Sequence, residues 1–151
     1  MMAGTVFNQL ILILQNNPAL SDYVEHVFKS IRYNIEPDSL PCIMVEIRGN
    51  NEIERDMGQF KKIWLDVDIV AHIATPDPEY AIVGDATKGA KGILDIENDI
   101  RACLQSSYSL AGYSDDIRFE PTVFREFELK NIMTRALFMP IRILYTQTDG
   151  I

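Results

Sequence analysis

At 151 residues and 17.2 kDa the chain is sized for one ordinary domain, 1–151, and folding at that length buries roughly 17,000 Å² of extended surface. Hydrophobic residues make up 47% and charged residues 24%, a globular balance that excludes wholesale disorder. The net charge of −8 is spread without an acidic tail or basic arm, which argues against a protein whose main work is gripping nucleic acid.

Residues 5–15 set Val6, Phe7, Leu10, Ile11 and Leu14 at helical spacing. Asn16-Asn17-Pro18 stops that helix, and Pro18 opens a short second turn with Asn17 as its cap. Residues 19–28 read as helical only in their first half, with an extra strand near 27–33, and Glu36-Pro37-Asp38-Ser39 with Pro41 is a loop. After Pro41 the period changes to two. Residues 42–48 read as a strand, and residues 61–73 alternate cleanly. Ile63, Leu65, Val67, Ile69, Ala71 and Ile73 face one way; Trp64, Asp66, Asp68, Val70 and His72 face the other. The polar connection 49–59 is longer than a tight hairpin turn and reads as a protruding arm or mobile loop.

Thr75-Pro76-Asp77-Pro78-Glu79 is a helix start, with Asp77 as N-cap and Pro78 in the first turn. The helix is expected to run to about Gln105, because Ile82, Ala86, Ala90, Ile93, Ile96, Ile100 and Leu104 form one stripe. Gly84, Gly89 and Gly92 lie inside it, each costing about 1 kcal/mol against alanine. Residues 106–114 form a loop, followed by strands over 117–127 and 132–145, with Pro140 placing the last at an edge or at a bulge. The order predicts an α+β fold: a mostly antiparallel four- to five-stranded sheet with two main helices packed on one face.

Cys42 and Cys103 each lie in an apolar stretch and form neither a CxxC pair nor a disulfide framework, so both are expected as buried free thiols in a reducing compartment. No cationic segment precedes the first apolar run, and residues 10–14 are too few to span a bilayer, so neither secretion nor a membrane partner is expected.

Nucleotide-binding, zinc-protease and serine-hydrolase signatures are absent, and no catalytic, cofactor or metal residue is assigned. Weaker patterns remain. His72 shares a strand face with Asp66 and Asp68, which could form a metal site but reads more simply as a solvated or interface-facing strand. His26 reads as a surface residue. Asp66 and Asp68 could divide acid and base work if buried, although Trp64 beside them suggests a contact surface. Glu128-Leu129-Lys130 has the carboxylate-x-lysine form of metal-dependent nucleases, at what reads as the turn between the last two strands. On the second helix, Glu97 and Arg101 form an (i, i+4) ion pair at the margin of the stripe, with Lys88, Lys91, Asp95 and Asp99 on a solvated face. More telling is the apolar side chain left on nominally outward strand faces, at Trp64, Val70, Ala136 and Phe138, which assembly with other subunits would cover.

The order of these features resembles the phage tail terminator (tail completion) family. The opening FNQLILILQNNPALSDYV is similar to its N-terminal signature, with Asn17-Pro18-Ala19-Leu20 at the usual break and Leu40-Pro41-Cys42-Ile43-Met44-Val45 at the first strand. The alternating strand, proline-marked helix start, amphipathic helix and two closing strands follow in the same order. The longer 49–59 connection and the three glycines early in the second helix depart from many relatives. The resemblance implies a non-catalytic subunit of a ring, hexameric in the best-known members, that caps the head-proximal end of the tail tube. Its partners would be copies of itself, the tail tube protein and the head–tail connector protein, with DNA passing through the lumen unbound. Its place would be the virion tail or neck, reached from the host cytoplasm. Within that reading Glu52, Glu54, Arg55 and Asp56 on the arm, with Trp64, Asp66 and Asp68 on the outward face, are the candidate interaction residues. The alternatives are another neck protein, for head–tail joining or head closure, and a small metal-dependent nuclease or hydrolase using Glu128 and Lys130.

Overall fold

The computed structural model describes residues 3–32, 34–56, 60–74, 83–84, 91–129 and 132–148, and for 37, 52–56, 60, 127, 129, 132 and 148 it gives the backbone path. Helix α1 (Ala3–Asn16) buries Val6, Leu10, Ile11 and Leu14, the stripe its spacing predicts. Asn17 ends it and caps the single turn α2 (Pro18–Ser21), its Oδ1 accepting from the Leu20 N–H at 3.1 Å with Pro18 in the first turn. Strand β1 (His26–Phe28) follows, then β2 (Cys42–Asp56) and β3 (Phe60–Ala74). Helix α3 (Ile93–Ser106), β4 (Asp116–Phe119), β5 (Val123–Leu129) and β6 (Ile132–Thr148) follow, with 3-10 turns at Pro37–Ser39 and Leu110–Gly112.

The architecture is α+β, but the sheet is larger than expected and mixed. Its strand order is β1-β2-β3-β6-β4, with β5 also paired to β6. Every pair is antiparallel except β1 with β2, where His26 stands opposite Cys42. A parallel pair needs a crossover, and residues 29–41 provide it. They carry Ile31, Ile35 and Leu40 across the far side of the sheet, where these pack with Phe28, Cys42, Met44, Val70 and Phe138. The expectation of one open sheet face is thereby corrected in part: Val70 is buried beneath this crossover, and Ala136 is buried as well.

On the opposite face α1 and α3 cover Val45, Leu65, Val67, Ile69, Leu137, Met139, Ile141 and Ile143, which form the main core. The second helix is shorter than its stripe suggested. Gly92 is extended at its N-cap (φ −93, ψ 176), and its N–H donates to Asp95 Oδ2 at 2.8 Å. Gly84 has φ 75, a left-handed value. At Gly84 and Gly92 the freedom of the glycine backbone thus outweighs the apolar periodicity. The predicted start at Asp77 and Pro78, with Ile82, Ala86, Ala90 and Gly89, lies outside the described residues.

The stretch 117–127 is two strands. Glu120-Pro121-Thr122 separates β4 from β5, and both lie along the same side of β6. That break explains Pro140. Strand β6 is internal, not an edge, with β3 on its other side. The Pro140 carbonyl accepts from the Glu120 N–H at 3.0 Å, so the position without an N–H faces the gap between β4 and β5. No ladder bond is lost there. Between α3 and β4, Leu110, Ala111 and Gly112 all have positive φ, with Leu110 buried as the anchor of the turn.

The 49–59 connection is mostly strand. Strand β2 stays paired with β3 to Asp56 opposite Phe60, and β6 follows β3 as far as Thr148. Two irregularities in β2, between Ile47 and Gly49 and between Glu52 and Glu54, each add one residue to the bulged strand and increase its twist.

Candidate functional site

The outer face of β2, β3, β6 and β4 gathers the charged and aromatic residues into cross-strand rows. Asp66 lies between Gly49 and Arg142, and Asp68 between Glu46 and Pro140. Trp64 sits between Asn51 and Leu144. Alternation along β3 places Trp64, Asp66 and Asp68 together on this face, as the sequence predicts.

Each of the three has a partner from a neighbouring strand. Asp66 accepts from Arg142 Nε at 2.9 Å and from Asn51 Nδ2 at 2.7 Å. Asp68 pairs with Arg48 at 3.2 Å, and Arg48 reaches Glu120 at 3.8 Å. Arg48 is the extra residue of the first β2 bulge, and the bulge turns it to the Asp68 side. Trp64, only 5% exposed, has two guanidinium groups over its ring, Arg118 at 4.9 Å and Arg142 at 5.0 Å. The Asp66 and Asp68 carboxylates are thus held by separate arginines, an arrangement that pins strand register and does not set one acid against another. The arginines were missed from sequence because a row across a sheet depends on register, which one strand's pattern does not state.

The other candidate positions disperse. Glu52, Glu54, Arg55 and Asp56 lie on the far end of β2, opposite Ile63, Lys62, Lys61 and Phe60. His72 is not on an open surface: it is 3% exposed, with Nδ1 3.2 Å from Thr134 Oγ1, and burial holds its pKa down to about 4. His26 stacks on Phe28 at 5.4 Å between ring centroids. Glu128 is exposed near the end of β5, while Lys130 lies outside the described residues. Among the described residues no group of three or more His, Cys, Asp and Glu side chains is placed to hold a metal ion. Cys42 and Cys103 are buried free thiols, pushed up to about 12 and about 11 by burial.

On α3, Glu97 and Arg101 form the expected pair at 3.1 Å. Arg101 also donates to Thr122 Oγ1 at 3.2 Å and lies over the Phe119 ring, tying the helix to the β4–β5 break. Lys91 is exposed, as the solvated reading has it, whereas Asp99 is only partly so. Asp99 accepts from the Tyr23 hydroxyl at 2.8 Å, with Lys91 3.8 Å away, so the chain after α2 is fastened to α3. Burial, then the hydrogen bond to Asp99, raises the Tyr23 pKa.

Beside the Arg48–Asp68 pair the outer face opens into a groove of about 390 Å³, lined by Arg48, Asp68, Val123, Arg125, Phe138 and Pro140. Arg125 is exposed and has no carboxylate partner among the described residues. The groove thus offers one engaged and one unengaged guanidinium beside apolar walls, suited to a carboxylate flanked by an apolar side chain.

Among the described residues no helix is long and apolar enough to cross a membrane. No family model matches this chain, and no curated protein matches it.

Proposed function

We propose that this protein is a tail terminator of a phage or prophage, a ring-forming subunit that caps the head-proximal end of the tail tube and offers the joint to the head connector. The observation that carries the reading is the hairpin. After Val45 the residues of β2 through Asn51 whose side chains are described leave the core, yet the strand continues in pairing to Asp56. An exposed strand of that length is an aggregation hazard when unpartnered, and natural proteins blunt it with charges and bulges. This one has both: Glu46, Arg48, Glu52, Glu54, Arg55 and Asp56, and two register shifts. Such an edge suits a specific, polar contact with another subunit.

A tube end is a template that keeps adding subunits. A terminator must match that end on one side and present a different surface on the other, which a heterologous contact closed by ring symmetry provides. The acidic balance also fits a conduit through which DNA passes without being held. The test is the particle population of a phage lacking this protein. The terminator reading expects headless tubes of uncontrolled length. Headless tails of normal length would assign it instead to another neck component, for head–tail joining or head closure.

A further inference from the structure

We infer that the Arg48–Arg125 groove receives the β2 end of the hairpin from a second copy of this chain, so that subunits join head to tail. This deepens the ring reading and rests on it. The groove combines the Arg48–Asp68 pair and the Arg125 guanidinium with apolar walls from Val123, Phe138 and Pro140, and Val123 is 44% exposed. On a chain of net charge −8 such a pocket stands out against its background and steers acidic segments toward itself. The matching segment is Glu52-Ile53-Glu54, an apolar residue between two carboxylates, at the second register shift of β2. The β2 end of the hairpin carries Glu52, Glu54 and Asp56 against one cation, Arg55, while Lys61 and Lys62 belong to β3.

The occupant cannot come from the same chain. Glu54 follows Arg48 by six residues in one extended strand, about 20 Å at ~3.3 Å per residue. Pairing with β3 on both sides of the bulge prevents that strand from folding back. The groove and the hairpin end are therefore two different surfaces of one subunit, the condition for a heterologous contact that closes into a ring.

Charge reversal tests this by light scattering of the purified full chain across a concentration series. Glu52→Lys with Glu54→Lys alters the hairpin, and Arg125→Glu alters the groove at an exposed residue with no ion-pair partner among the described residues. Each set alone is expected to weaken self-association by roughly tenfold or more. The chain carrying all three substitutions, in which lysines meet a glutamate, is expected to recover it. Circular dichroism of each variant shows that the fold is retained. A wild-type chain that stays monomeric up to about 100 μM, or single sets that associate like wild type, or a triple variant without recovery, overturns the contact. None of these outcomes touches tail capping, which particle lengths read separately. Uncontrolled tail length from a chain still joined through this contact, or normal tails without the chain, would count only against the capping role.

Discussion

Arg142 and Asp66 meet across the β3–β6 pair at 2.9 Å, and the same guanidinium covers Trp64 at 5.0 Å. The ion pair thus fixes the cation over the indole. Asp66→Ala is expected to cost about 1 kcal/mol, because the pair is only partly shielded from solvent. Urea unfolding should show a lower midpoint at unchanged m, with the single tryptophan emitting further to the red in the native state. An unchanged emission maximum would mean that Arg142 holds its place without Asp66.

His72 links stability to pH. Buried beside Thr134, it stays neutral in the folded chain down to about pH 4, whereas in the unfolded chain it takes up a proton near its ordinary value of 6.5. Below pH 6.5 the unfolded state binds more protons, so stability is lost as pH falls from 6.5 toward 4, by about 3 kcal/mol over the whole window. His72→Gln, which keeps a hydrogen-bonding side chain near Thr134, should flatten the stability profile there. Equal slopes for wild type and variant across that window would contradict this account of the residue.

Both thiols should be silent in the native protein. Burial of Cys42 and Cys103 excludes reagent and disfavours thiolate together. Titration with an aromatic disulfide at pH 8 is expected to be at least about a hundredfold slower in buffer than in urea, where both thiols react. Rapid native labelling of either cysteine would show that its cover opens readily.

Pro140 separates two kinds of strand position. Its missing N–H faces the β4–β5 gap, so Pro140→Val should change stability by no more than about 0.5 kcal/mol. Met139→Pro removes an N–H on the β3 side and a fully buried side chain, and should cost about 2–5 kcal/mol from the lost side chain alone. Thermal melts of the two variants decide it, and similar losses in both would refute the assignment of sides.

What was legible in the sequence follows from locality. The stripe of α1, the Asn17–Pro18 cap and the alternation of β3 are encoded within a few residues, and the structure has each as read. The second helix was overextended because apolar spacing continued through Gly84 and Gly92, where backbone freedom, not hydrophobic period, decides the conformation. The candidate face was half legible. Period two placed Trp64, Asp66 and Asp68 together, but Arg48, Arg118 and Arg142 reach them through inter-strand register and one bulge. The cover over Val70 was hidden for a related reason, since Ile31, Ile35 and Leu40 carry no period of their own and reach the sheet only through a parallel crossover.

The proposed role in ending tube growth is read most directly from the length of tubes assembled from a purified tail tube protein encoded beside this chain. Tubes are grown with increasing amounts of this chain and measured by electron microscopy. The account predicts that growth stops at one end, at ratios far below one chain per tube subunit, and that the arrested ends carry an added ring. Tubes that reach the same lengths with and without the chain, with bare ends, would contradict it.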